Sequence, residues 1–258
     1  MGERGGGSGD GAFERWMIEL EARHLADLRP AEVGRALRAL SSAYVERRGR
    51  LAEGAALDGA GKRAAFALFY GPMHFLLVRA IVRSLGAATP AIGLVADLGC
   101  GTGVAGAAWA LESLPPARVA GIERHSWAAA EARWTFRAFG LDAHVQCADV
   151  ARTGLPPRAD AVVAAFTANE LLAGARERLL ADMLAAARRG ARVLVVEPLA
   201  GSAAPWWREW ALAAAKEGGR EDRWRLAAGL PGIAGRLDRA AGLDHRELTA
   251  RSVYLDVR

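Results

Sequence analysis

One short segment combines an acidic residue with closely spaced glycines. It lies between an apolar run and a helical pattern that begins at Val104, and it consists of Asp97, Leu98, Gly99, Cys100, Gly101, Thr102 and Gly103. Glycines let the chain turn sharply and let a ligand approach the backbone beside the N-terminus of the following helix. Glu123 ends the next apolar run, 22 residues past Gly101, where an acidic residue can accept hydrogen bonds from both hydroxyls of a ribose. These residues predict a site for a nucleotide-like ligand.

Further candidate residues follow the third and fourth apolar runs. Asp149 lies in CADV after the third run, and FTANE, from Phe166 to Glu170, follows the fourth. Ligands of open α/β sheets gather at the carboxyl ends of the strands, so these residues are expected at one edge. Asn169 can donate and accept a hydrogen bond at once, which suits it to orient a reactant. His74, upstream beside a Gly-Pro pair, is a third catalytic candidate after Asn169 and Glu170, although a lone histidine on an apolar helix is more often structural.

The elements that position these residues alternate between short apolar runs and helical patterns. The runs are IGLVADL, RVAGIE, HVQCA, DAVVAAF and RVLVVEP, and the helical patterns cover residues 104–114, 126–139 and 173–188. Apolar strands alternating with helices are typical of βαβ units, in which helices cover both faces of a parallel sheet. Residues 89–258 are therefore predicted to form a Rossmann-like, doubly wound α/β domain with a mostly parallel sheet. HRELTA and SVYLDVR would add the last strands, after a helix that stops near Gly242.

The residues before this domain show a different pattern. Residues 1–12 are glycine-rich and are predicted to form a disordered leader. Residues 13–88 are predicted to form an N-terminal helical region, because apolar residues recur there with helical spacing. Pro72 should kink or restart the third of these helices, since proline removes a backbone donor.

Through DLGCGTG the chain resembles the class I S-adenosylmethionine-dependent methyltransferase superfamily, and the resemblance covers roughly residues 91–200. It implies that Asp97 and the Gly99–Gly103 loop hold the methionine portion of S-adenosylmethionine. It also implies that Glu123 holds the ribose and Asp149 the adenine amino group. The segment from Phe166 to Glu170 would line the methyl-transfer site, with Phe166 as a further cofactor-binding residue. The implied reaction is a direct in-line transfer to a small molecule or RNA, with no metal.

Two other functions remain open at this point. The residues from Gly101 to Gly106 also fit the G-x-G-x-x-G fingerprint of NAD(P)-dependent oxidoreductases. Against that interpretation, the carboxylate of Asp97 suits an ammonium group and would repel a pyrophosphate at a helix N-terminus. The second alternative is a catalytically silent methyltransferase-like binding or assembly factor, which would bind the cofactor without methylating an acceptor.

Composition and the remaining aromatic residues add limited information. The net charge of +5 is dispersed, with no basic arm of the kind that nucleic-acid binders concentrate on one face. Two cysteines, Cys100 and Cys147, provide no disulfide framework, are expected to be buried, and fit a cytoplasmic protein. No uncharged apolar stretch reaches the roughly 20 residues that span a bilayer, so a membrane location is not expected. Trp206, Trp207 and Trp210 either line an acceptor pocket or staple a helix to the domain.

Overall fold

A seven-stranded sheet organises the larger part of the chain in the computed structural model, which describes residues 7–46, 57–200 and 204–257. The strands are β1 (Leu94–Leu98), β2 (Arg118–Glu123), β3 (Ala143–Cys147), β4 (Ala161–Ala165), β5 (Arg192–Glu197), β6 (Arg220–Ala227) and β7 (Glu247–Leu255). Their order in the sheet is β3-β2-β1-β4-β5-β7-β6.

The strand pairing confirms the predicted doubly wound, mostly parallel sheet. β1 pairs in parallel with β2 and β4, β2 pairs in parallel with β3, and β4 with β5, whereas β7 runs antiparallel to β5. The helices of this unit are α5 (Val104–Ala110), α6 (Ser126–Ala138), α7 (Ala173–Arg188) and α8 (Trp207–Lys216). β5 is buried along its whole length, as expected for a strand that helices cover on both faces. The carboxyl ends of β1 to β5 therefore share one edge of the sheet.

Part of the core joins α7 and α8 to the sheet. Leu179 and Met183 of α7 and Trp207 and Trp210 of α8 belong to one buried apolar cluster with residues of the strands. Trp207 and Trp210 thus fix a helix to the domain, which is one of the two roles predicted for them. Trp206 is half-buried and packs edge-on against Trp210 with ring centroids 4.8 Å apart.

A second compact unit is helical. It comprises the described parts of residues 1–74 together with Ala227–Arg246, and the division falls inside a helix, after His74. Its helices include α1 (Gly7–His24), α2 (Pro30–Glu46), α3 (Ala60–Ala65) and α9 (Gly232–Ala241), and α4 (Gly71–Ser84) begins in it. The Arg38 guanidinium of α2 donates a hydrogen bond to the carbonyl oxygen of Ala240 at 3.0 Å. The predicted division into residues 13–88 and 89–258 is therefore wrong for α9, because α9 packs against a helix far away in sequence.

The N-terminal boundary also differs from the prediction. α1 begins at Gly7, so residues 7–12 of the expected leader are helical, while residues 1–6 lie outside the described residues. Two features favour this earlier start. Asp10 places an acidic group in the first turn, where it complements the helix dipole, and Trp16 is buried two turns further on. The buried residues that follow therefore stabilise the helix, and the helix extends back through the glycines of this stretch.

The Gly-Pro pair does not break the third helix. A π-helical turn, Phe66–Tyr70, joins α3 to α4, and the N–H of Gly71 donates to the carbonyl oxygen of Phe66. The wider turn accommodates the proline without ending the helix. Among the described residues, the continuous run Ala60–Ser84 is long and apolar enough to cross a membrane by length and composition alone. Of its most apolar window, 67% is buried within the protein, as a core helix also would be.

The end of the chain contains one strand that the sequence pattern did not predict. β6 has five charged residues among eight, and its burial alternates between exposed and partly buried positions, as on the edge of a sheet. The two predicted final strands are instead the single strand β7. The predicted helix that stops near Gly242 is confirmed, because α9 ends there with Gly242 in the left-handed conformation at φ 71°.

Candidate functional site

The loop between β1 and α5 depends on its glycines. Gly99, Gly101 and Gly103 have φ values of 64°, 53° and 82°, in the left-handed region that disfavours other residues. A Cβ added at Gly99 would lie only 2.7 Å from Oγ1 of Thr167, so this position also needs glycine for close packing. The N–H of Cys100 donates to the carbonyl oxygen of Ile122 at 3.0 Å. The loop is therefore bound to β2 as well as to the segment after β4.

Asp97, near the end of β1, is hydrogen-bonded to the helix that follows the glycine loop. Its side chain is buried, and Oδ2 accepts a hydrogen bond from the N–H of Gly106 in α5 at 2.7 Å. Burial raises the pKa of Asp97 to about 7, the Gly106 hydrogen bond opposes the rise, and Glu123 adds to it. A nearby cation would favour the ionised form. The contact with the methionine ammonium group stays a prediction.

Glu123 ties the glycine loop to the end of β2. Oε2 accepts from the N–H of Gly101 at 2.9 Å, and Oε1 accepts from the N–H of His125 at 2.7 Å. A carboxylate has about four acceptor positions, so two further donors can still bind. This capacity is what a ribose diol requires, and the role of Glu123 toward a ribose stays a prediction that this geometry accommodates.

Asp149 follows β3, the next strand beyond β2. Its Oδ1 accepts from the N–H of Ala151 at 2.9 Å, which closes a local turn. Arg152 forms a long ion pair with Oδ2 at 3.9 Å. The N–H of Ala148 donates to the carbonyl oxygen of Glu123 at 3.0 Å, so the ends of β2 and β3 are directly joined. The structure thus brings Asp149 to the edge that carries Glu123, as predicted from the sequence pattern.

The segment after β4 is fastened to the glycine loop. Oγ1 of Thr167 lies 2.9 Å from the carbonyl oxygen of Leu98 and 3.3 Å from that of Gly99. Phe166, a predicted cofactor-binding residue, has a φ of 59° and donates its N–H to the carbonyl oxygen of Val196 at 2.8 Å. A left-handed conformation is strained for a bulky residue, and such strain often occurs at functional sites. Contacts on both sides therefore hold this segment in place.

Glu170 lies at the same edge and faces Arg124, the residue after β2. The Arg124 guanidinium approaches Oε2 of Glu170 to 3.6 Å. Burial raises the pKa of Glu170 to about 7, Arg124 lowers it, and Glu123 raises it further. A carboxyl group that titrates near neutral pH can exchange a proton during a reaction. The catalytic role of Glu170 stays a prediction, which this raised pKa supports.

Asn169 contacts an acidic residue that was not among the candidates. Glu197 ends β5, is 0% exposed, and accepts hydrogen bonds from the main-chain N–H of Asn169 at 3.3 Å and from its side-chain Nδ2. Burial raises the pKa of Glu197 to about 8, against the lowering effects of hydrogen bonds from Asn169 and Ala168. VVEP at the end of the fifth apolar run was the available signal, because it places an acid at a strand end.

His74 belongs to the helical unit, whereas the other candidates belong to the unit of the sheet. Its ring lies 5.9 Å from that of Tyr70 between centroids. Burial lowers the pKa of His74 to about 3, so the imidazole is neutral at physiological pH. Its catalytic role stays a prediction.

The two cysteines differ in environment. Cys100 is buried, and burial raises the pKa of its thiol well above the usual range. The prediction that Cys147 is buried is wrong, because it lies on β3, an edge strand with mostly exposed residues. In the part of the chain that the structure describes, no group of three or more His, Cys, Asp or Glu residues could hold a metal ion.

Comparison with known proteins is consistent with this arrangement. Residues 95–190 match a family model described as a methyltransferase domain. No curated protein sequence matches the chain. The plantazolicin methyltransferase BpumL in complex with SAH is similar with a TM-score of 0.52 and 12% identity, over 95% of this chain and 99% of that one. Its complex with a pentazolic desmethylPZN analog and SAH gives 0.54 and 11%, over 89% and 98%. The N-methyltransferase NodS from Bradyrhizobium japonicum WM9 gives 0.48 and 14%, over 71% and 84%.

The sheet order, the glycine loop and the family match define a methyltransferase domain. This match over residues 95–190 agrees with the resemblance to the class I S-adenosylmethionine-dependent methyltransferases seen in DLGCGTG. The oxidoreductase interpretation of the same glycines is not supported.

Proposed function

We propose that this enzyme transfers the methyl group of S-adenosylmethionine directly to a small-molecule acceptor at the carboxyl edge of the sheet. One observation carries the proposal. The glycine loop, Glu123 and Asp149 lie at the carboxyl ends of the adjacent strands β1, β2 and β3, while the segment with Asn169 and Glu170 follows β4, on the other side of β1.

The chemistry of the donors and acceptors fits this cofactor. S-adenosylmethionine offers hydrogen-bond donors in linear order, namely an ammonium group, a ribose diol and an adenine amino group. Neighbouring strands lie about 4.8 Å apart, so the acidic residues at the ends of β1, β2 and β3 are spread along one line. In this proposal Asp97 and the glycine loop hold the methionine end, Glu123 the ribose and Asp149 the adenine.

The same order places the acceptor next to the reactive methyl group. The methionine end would lie at β1, beside β4, where Asn169 and Glu170 are found. S-adenosylmethionine supplies an electrophilic methyl group bound to a sulfonium. Holding reactants at near-attack distance can contribute about 7 to 11 kcal/mol in well-oriented model systems, so positioning alone can supply much of the acceleration. Asn169 orients the acceptor, and the Glu170 carboxylate takes up the proton that the acceptor releases.

The charge at this edge favours a small neutral or cationic acceptor over RNA. Glu123, Glu170 and Glu197 contribute three carboxyl groups, and the nearby Arg124 is already paired with Glu170. A polyanionic substrate needs clustered basic groups, whereas these residues are carboxyl groups, which are neutral or negative according to their protonation. BpumL, which shares the fold, was solved in complex with a pentazolic desmethylPZN analog and SAH. A cytoplasmic location belongs to the same proposal, since the two free cysteines fit a reducing compartment.

Two experiments test the proposal. Calorimetry should show binding of S-adenosylmethionine and SAH but not of NADH. Protein incubated with methyl-tritiated S-adenosylmethionine and a lysate separated into RNA, protein and metabolites should label the metabolite fraction. NADH binding without S-adenosylmethionine binding would overturn the cofactor assignment, and label found only in RNA would overturn the acceptor class. Cofactor binding with no label in any fraction would instead indicate a catalytically silent binding factor.

A third experiment separates binding from catalysis at Asn169. Asn169→Ala should keep SAH affinity within about threefold and lower methyl transfer by roughly tenfold or more, because it removes an orienting contact and not a cofactor contact. Gln146→Ala, at an exposed position of β3, is the matched control for loss of a side-chain amide. Normal turnover in the Asn169 variant would remove this residue from the reaction.

A further inference from the structure

We infer that Glu197 is a positioning residue for methyl transfer: it holds one end of the Asn169 amide, and its own proton determines which end faces the acceptor. The inference rests on the proposed function of Asn169. It goes beyond that function by assigning a role to a buried acid on β5 and by specifying the hydrogen-bonding character of the acceptor.

The contacts of Glu197 fix Asn169 at two points. One carboxylate oxygen accepts from the main-chain N–H of Asn169 at 3.3 Å, and the other accepts from its side-chain Nδ2. The N–H of Ala168 also bonds to this carboxylate. Glu197 is 0% exposed, so water does not compete for these bonds. The amide plane of Asn169 is therefore set by its contact with β5.

The other end of the amide has no partner among the residues that the structure describes. Oδ1 of Asn169 is buried and accepts no hydrogen bond. An unsatisfied buried polar atom costs about 1 to 3 kcal/mol, and this cost is removed when a ligand supplies the missing donor. Because Asn169 lies at the carboxyl edge beside β1, the acceptor is the ligand that can supply it. The amide thus has one end held by Glu197 and one end available for substrate.

The protonation state of Glu197 decides which end is held. A carboxylate only accepts hydrogen bonds, so it binds the N–H2 group and leaves the carbonyl for the acceptor. A carboxylic acid also donates, so it can bind the carbonyl after a half-turn of the amide and leave the N–H2 group for the acceptor. The charged groups that face Glu197 are Glu170, from the turn after β4, and Arg251, opposite Glu197 on β7. Burial and Glu170 raise the pKa of Glu197, and Arg251 lowers it.

The two states differ in what they allow chemically. The amide carbonyl can bind an N–H or O–H of the attacking atom and leave its lone pair free to face the methyl group. The N–H2 group would instead bind that lone pair and compete with the attack. The active form therefore has ionised Glu197, and the acceptor carries an N–H or O–H on the atom that becomes methylated. In this class of acceptor, transfer should increase as pH rises through the ionisation of Glu197.

The amino-acid composition offers a direct spectroscopic test. Asn169 is the single asparagine in the chain and Gln146 the single glutamine, so a proton–nitrogen correlation spectrum contains two side-chain N–H2 pairs. With SAH present and no acceptor, the Asn169 pair should shift with pH around a midpoint near 8, and Glu197→Gln should abolish the shift. Gln146 is exposed on β3 and serves as an internal control that should not follow this titration. Asn169→Ala identifies its own pair of signals.

A second acid must be distinguished in that experiment. Glu170→Gln should leave the Asn169 titration in place, although its midpoint can move because Glu170 raises the pKa of Glu197. If the titration disappears in Glu170→Gln and persists in Glu197→Gln, the assignment to Glu197 is overturned. The same holds if Asn169 shows no titration between pH 6 and 9 in the wild type.

Kinetics test whether Glu197 acts through Asn169. With the metabolite fraction as acceptor, Glu197→Gln should mimic the protonated acid, with slow transfer that no longer increases around pH 8, while the increase through the ionisation of Glu170 near pH 7 remains. The double variant Asn169→Ala/Glu197→Gln should be no slower than Asn169→Ala alone, whereas independent structural roles would multiply the two losses. SAH affinity and melting temperature are measured for every variant. Failure of the wild type to bind SAH contradicts the proposed function itself, while normal binding with additive losses contradicts only the role of Glu197.

Discussion

Glu197 should make the stability of the protein depend on pH. The carboxyl group is 0% exposed, and its pKa rises from 4.5 to about 8 in the folded chain. A folded-state pKa above the unfolded value means that the native protein binds the extra proton between these two pH values. The contribution of Glu197 to the free energy of unfolding is then greatest below pH 4.5 and decreases as pH rises toward 8. The full difference of 3.5 pKa units corresponds to at most about 5 kcal/mol, or about 1.4 kcal/mol per pH unit.

Glu197→Gln removes this ionisation while retaining the size and hydrogen-bonding shape of the protonated acid. We therefore expect the variant and the wild type to have similar unfolding free energies at pH 5. At pH 8.5 the variant should be more stable by several kcal/mol, as measured by urea denaturation without ligand. Asp97 and Glu170 contribute their own pH dependence to both proteins, so the difference between the two curves isolates Glu197. Parallel curves for the two proteins would show that Glu197 ionises as an ordinary exposed glutamate does and would refute the reasoning.

Three further predictions concern the cofactor loop and the thiols. Glu123→Gln should weaken SAH binding by about 1 to 3 kcal/mol in calorimetry, since a charge-assisted hydrogen bond is lost, and unchanged affinity in a folded variant would remove it from the site. Gly99→Ala should lower the melting temperature more than Gly140→Ala, because both have positive φ but an added Cβ has no neighbour within 4 Å at Gly140; equal losses would mean that backbone strain alone acts. Cys147 should react rapidly with a thiol reagent in the native protein while Cys100 reacts only on unfolding, and two fast thiols would contradict the burial of Cys100.

The sequence predicted the order of elements better than their tertiary partners. The pattern over residues 173–188 gave the bounds of α7, because a strongly periodic helix is defined locally. β6 was missed since its charged residues suit an edge strand, where burial does not select an apolar run. α9 was predicted as a helix but assigned to the wrong unit, because its contact with Arg38 joins segments 202 residues apart. Local pattern specifies an element, whereas only packing specifies what it packs against.

The candidate site shows the same contrast between what the local sequence pattern specifies and what packing specifies. The positions of Glu123 and Asp149 were predictable because each ends an apolar run, and the ends of parallel strands meet at one edge. The part played by Glu197 was not predictable in that way. Its partner, Asn169, is determined by the parallel pairing of β4 with β5, which brings Ala165 opposite Val196. Sequence spacing contains no record of that register.

The segment after β4 is held by both neighbouring strands, and this arrangement accounts for how it could orient a reactant. On one side, the hydroxyl of Thr167 binds the carbonyl oxygens at the end of β1, where the cofactor loop begins. On the other side, Glu197 of β5 binds Asn169 through its main chain and its side chain. Phe166 keeps a strained left-handed conformation between β4 and these contacts. The strain persists because the contacts on both sides hold the segment in place. A near-attack geometry requires this kind of rigidity, since a displacement of about 1 Å can cost a hundredfold in rate. The acceptor-orienting amide is therefore connected to the cofactor loop through Thr167, two positions earlier in the chain, and to a titratable acid through direct hydrogen bonds.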